Sequence, residues 1–89
     1  MSVPEFVDVP ILVQAHFLPD GQMQPTAFRW QDCTHVITDV GRQWDATADG
    51  VTWRCFLVRT AQREAAELRL DALNGRWLLH RVWANPLVL

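Results

Sequence analysis

Ala65-Ala66-Glu67-Leu68-Arg69-Leu70-Asp71, then Ala72-Leu73-Asn74-Gly75-Arg76, then Trp77-Leu78-Leu79-His80-Arg81-Val82-Trp83, is the stretch whose reading decides the fold. In an extended chain Ala66, Leu68 and Leu70 share one face and Glu67, Arg69 and Asp71 the other. That alternation predicts a strand with one side on a core and one side in water. Asn74-Gly75 predicts a hairpin to 77–83, because both residues tolerate the positive φ of tight turns. A helix over 61–73 competes: Thr60 offers an N-cap, the segment is rich in helix formers, and Ala61, Ala65, Leu68 and Ala72 fit one helical stripe. Propensity favours the helix; the alternation and the turn favour the strand.

Working outward, Trp53-Arg54-Cys55-Phe56-Leu57-Val58-Arg59 reads as a strand, entered from Asp49-Gly50. Asp45 to Gly50 offers little to pack and reads as a mobile loop. His35 to Val40 is β-branched and strand-like, and Ala27 to Trp30 places Phe28 and Trp30 opposite Arg29. Ile11 to Phe17 alternates and turns at Pro19-Asp20-Gly21, which predicts a first hairpin. Residues 1–10 read as an entry segment, with at most an edge strand between Pro4 and Pro10. Residues 84–89 form an apolar tail that either plugs the fold or engages a partner. The expectation is one all-β domain with its core in 11–83. It is a small antiparallel six-stranded barrel or strongly bent sheet, and strand spacing does not choose between SH3-like and OB-like forms.

A chain of 89 residues buries roughly 60–65% of its unfolded surface, so its core must be dense. Five Trp and four Phe supply the bulk. Trp77, Leu68, Leu79, Phe28 and Ile37 hold the inward phases and are the expected core. Cys33 and Cys55 read as small, partly buried reduced thiols. The opening residues carry neither a basic run nor a long apolar one, and no stretch approaches the ~20 apolar residues of a membrane span. A cytoplasmic location is expected. The formal net charge is −2, all eight basic residues are Arg, and the field needed to hold duplex DNA is absent.

No catalytic, metal or cofactor site is expected. Cys33-Thr34-His35 is the only close pair among the cysteines and histidines His16, His35 and His80, and it has no metal-ligand spacing. Nothing resembles a nucleophile turn. The Trp residues read as core fillers, with a stacking platform beside Arg29, Arg54 or Arg81 as the alternative. Trp77, Leu79, Arg81 and Trp83 cannot all share one apolar face, so a bulge near Arg81 must send Arg81 or Trp83 outward. The candidate binding residues are Trp83, Arg81, Arg54, Arg76, Leu87 and Leu89.

Phe28-Arg29-Trp30, Trp44 and Gly75-Arg76-Trp77-Leu78-Leu79-His80-Arg81-Val82-Trp83 carry a resemblance across 11–83. It is to a family of uncharacterised small bacterial domains found alone or at the C-terminal end of Y-family, translesion-type DNA polymerases. The chain departs from that family at Asp32-Cys33, at His35 and in the turn 61–64, where the family often has Gly-Arg, Tyr and a Gly. The resemblance favours the strand over 65–71. It implies a non-enzymatic accessory module in DNA repair or damage tolerance that binds a protein such as a polymerase. A second copy of the chain is another candidate partner. The alternative function is binding of single-stranded nucleic acid by Trp stacking and Arg.

Overall fold

The computed structural model describes residues 3–83. Their order is β1 (Glu5–Phe17), β2 (Met23–Trp30), β3 (Cys33–Ala48), β4 (Val51–Thr60), β5 (Ala65–Asp71) and β6 (Arg76–Trp83). Each strand pairs antiparallel with its neighbour in sequence, and β6 returns to β1 to close a hydrogen-bonded ring. The order is a plain meander without a Greek-key crossover. The ring is not evenly barrel-shaped: β3 runs 16 residues and β1 13, whereas β5 runs only 7.

The turns explain the meander. Asp20-Gly21 turns β1 into β2, with Gly21 at φ 89° and the Leu18 N–H bonded to the Gln22 carbonyl at 2.7 Å. Gln31-Asp32 and Asp49-Gly50 are two-residue turns with both φ values positive, the mirror-image geometry that suits twisted strands. The β4–β5 turn bonds the Thr60 N–H to the Glu64 carbonyl at 2.9 Å and holds Arg63 at φ 62°. That turn excludes a helix over 61–73. The last hairpin forms where Asn74-Gly75 predicts it, but its turn spans four residues, 72–75, and only Gly75 takes positive φ.

The core lies inside the ring. Phe28, Phe56, Val58, Ala66, Leu68, Leu79 and Val82 form one buried cluster, as the 66–70 alternation requires. Trp77 and Ile37, expected to be mostly buried, are only half-buried and pack against its edge. Trp77 touches Phe56 at 5.5 Å between ring centroids. His35 is buried and stacked on Phe28 at 4.9 Å.

Three further expectations are corrected. Residues 45–48 are not a mobile loop: they continue β3 and pair with 51–54, so only Asp49-Gly50 turns. The polar side chains hid a strand whose ladder is satisfied by β4 rather than by burial. The segment 5–9 is not merely an entry segment or an edge, because β1 pairs there with β6 and closes the ring. Pro10 and Pro25 are tolerated because β1 is unpaired with β2 before Leu12, and β2 is unpaired with β3 before Ala27. Finally, Glu67 and Asp71 do not stand in water: each is 1% exposed. Alternation separates two faces without saying which is wet, and both carboxylates are fully engaged under cover. Of the two thiols, Cys55 is buried and Cys33 exposed.

Candidate functional site

A bulge places the site. Between β5 and β6 the pairs Leu68–Leu79 and Glu67–Arg81 leave His80 as an extra residue. On the other side, Phe6 pairs with Arg81 and Val9 with Leu79, so Val7 and Asp8 face that same His80. Asp8 adopts φ 49°, and its Oδ1 meets His80 Nδ1 at 2.6 Å. The extra residue restores Val82 to the core and turns both Arg81 and Trp83 outward, where the sequence required only one of them to leave.

Two cross-strand rows then run along the outward phase of the strands, with Glu67 and Cys55 buried within them. One is Leu57, Glu67, Arg81 and Phe6; the next is Trp44, Cys55, Arg69, Leu78 and Pro10. Neighbours along such rows stand ~4.5–5.5 Å apart. At their centre Glu67 accepts from Arg69 Nε at 2.9 Å and from Arg81 Nε at 2.6 Å. The Arg81 guanidinium lies 4.6 Å from the Trp83 ring centroid and 5.9 Å from that of Phe6. Beside this cluster β1 presents an apolar outer stripe: Phe6 is 60% exposed, Leu12 is 75% exposed and Pro10 is exposed between them. Half-buried Leu78 adjoins Pro10, and charged Glu5, Asp8 and Arg29 surround the stripe.

Not all of the candidate residues gather here. Arg81 and Trp83 do. Arg76 stands at the far end of β6, where its Nη2 reaches Asp71 Oδ2 at 3.4 Å. Arg54 points to the opposite side, into a cleft of about 480 Å3 at the mouth of the ring, with Gln43, Asp45, Phe56 and Leu70. There its Nη2 donates to Gln43 at 3.2 Å. Leu87 and Leu89 lie outside the described residues. Of the tryptophans, Trp30 and Trp77 pack on the core, whereas Trp44, Trp53 and Trp83 are half-buried on the outer phase.

Sequence reasoning missed Phe6, Pro10, Leu12, Arg69 and Glu67. The signal for the stripe was present: Leu12 is apolar on the phase opposite Ile11 and Val13. The pairing of Glu67 with Arg81 follows from the hairpin register only once the His80 bulge is known.

Burial pushes the Cys55 thiol above its ordinary pKa. Asp71 is held below the usual carboxylate range by the side-chain amide of Asn74, helped by the Asn74 and Leu73 N–H groups and Arg76. Among the described residues, no three His, Cys, Asp or Glu side chains converge to hold a metal ion. Comparison of the chain with protein-family models, curated proteins and solved structures finds no match.

Proposed function

We propose that the chain is a non-enzymatic protein-interaction module of the bacterial cytoplasm that docks through the outer face of β1 and β6. The observation that carries this reading is the exposed stripe Phe6, Pro10 and Leu12 with its charged rim. An apolar patch inside a polar border is what a protein partner covers. The link to DNA damage tolerance, with a translesion-type polymerase as partner, is supported by the resemblance of residues 28–30, 44 and 75–83. Titrating the purified chain with the Y-family polymerase of the same genome tests it. Saturable binding that is lost in Phe6→Ser and Leu12→Ser, with melting of both variants unchanged, is the expected result. Binding that is absent, or that survives both substitutions, overturns the reading.

A second reading is favoured by the Arg42–Trp44 and Arg81–Trp83 stacks, at 5.2 and 4.6 Å. Such pairs suit single-stranded nucleic acid. It ranks second because Arg81 covers a face of the Trp83 ring and shares its charge with Glu67, while Arg54 and Arg76 lie elsewhere. Labelled oligothymidine at low salt, with Trp fluorescence as readout, discriminates the two. Quenching that is lost in Trp83→Ala would promote this reading above the first.

A further inference from the structure

We propose that the Arg69–Glu67–Arg81 cluster selects the partner, by taking a carboxylate from an acidic segment whose apolar neighbour lies on Phe6, Pro10 and Leu12. The inference rests on the docking reading above and names the chemistry of what docks. Two guanidiniums share one carboxylate, and Glu67 is 1% exposed while the Arg69 and Arg81 side chains are 18% and 32% exposed. The group therefore carries one net positive charge on a chain whose total is −2. Both hydrogen bonds to Glu67 run through Nε. Among the described residues, the terminal Nη groups of the two forks find no acceptor. Those groups present paired N–H donors in the planar geometry that a carboxylate matches with two parallel hydrogen bonds.

Glu67 fixes both forks in advance, and Trp83 and Phe6 flank one of them, so little side-chain freedom remains to be lost on binding. The single excess charge is matched by one carboxylate. A polyanion would meet the repulsion of the acidic chain beyond it. The two rows also join the charge to the stripe: Arg81 is the cross-strand neighbour of Phe6, and Arg69 is separated from Pro10 only by Leu78. A segment lying across β6 and β1 thus meets a guanidinium pair and an apolar surface within two or three of its own residues.

Panning a random dodecapeptide phage library on the immobilised full chain tests the inference without a known partner. Enriched peptides are expected to carry Asp or Glu within three positions of Leu, Ile, Phe or Met. Affinity of the best peptide should fall about tenfold on Asp→Asn (or Glu→Gln) in the peptide, and similarly for Arg81→Gln in the chain. Because Arg81→Gln also disturbs Glu67, the salt dependence of the unaltered chain serves as the second measurement. The acidic peptide should weaken between low and high salt, while its amide counterpart should not. Enriched peptides without acidic residues, or an acidic peptide whose affinity ignores salt, would overturn the carboxylate site and leave the docking reading standing. No enrichment of any peptide would overturn both.

Discussion

Asp71 and Cys55 show how much of this small domain is decided by single side chains under cover. Asp71 gathers the Asn74 amide, two backbone N–H groups and Arg76 into a cap on the last turn. Its folded pKa is lowered, so the stability it contributes is fully present above the unfolded carboxyl value, near ~3.9, and is lost as pH falls through the lower folded value. Melting temperatures recorded from pH 7 down to about pH 2 should therefore drop more steeply below about pH 4 in the parent than in Asp71→Asn. The variant should already be less stable at neutral pH. Parallel curves would remove Asp71 from the turn. Cys55 is wholly buried, and its raised pKa keeps it a thiol at neutral pH, whereas Cys33 is open to solvent. An aromatic disulfide reagent should consume one thiol per native chain quickly and the second only after denaturant is added. Two fast equivalents would place Cys55 on the surface.

At the scale of elements, β5 has the range and the buried apolar phase that the alternation predicts, although its polar phase is covered as well. Leu68 is fully buried between Phe56 of β4 and Leu79 of β6. Leu68→Ala should cost about 2–5 kcal/mol, read from chemical denaturation. Half-buried Trp77→Phe should cost less than that, and the reverse order would mean that the core is centred on Trp77. The apolar phase 66–70 and the turn residues Gly21, Gly50 and Gly75 were legible because period-two burial and positive φ each have a residue signature. The continuation of β3 through Gly41 to Ala48 was not, because a strand held by ladder hydrogen bonds to β4 needs no apolar alternation. The paired bulge of Asp8 and His80 was half legible: the clash of Trp77, Leu79, Arg81 and Trp83 on one face demanded an irregularity near Arg81 but named neither His80 as the extra residue nor Asp8 opposite it. Glu67 was the least legible of all. Its burial depends on two arginines, one of them fourteen residues away.

For the whole molecule, closing β6 onto β1 does two things at once. It removes the free edges that would invite unwanted pairing. It also sets the outer stripe of β1 beside the Arg81–Trp83 end of β6, which is why a segment expected to be mere entry chain becomes half of the candidate site. Of that site, Arg81 and Trp83 were readable from the strand-end clash. Leu12 was marked locally by its apolar side chain on the outer phase, but Phe6 and Pro10 join it beside β6 only through ring closure, a long-range pairing that no local pattern encodes. The most direct test is amide-resolved chemical-shift mapping of the labelled chain during addition of the Y-family polymerase. The account predicts that the affected amides fall in 5–12 and 77–83, with Arg69 at their margin and the Asp45–Arg54 hairpin unchanged. Changes confined to that hairpin and the cleft around Arg54, or no change at any amide, would contradict it.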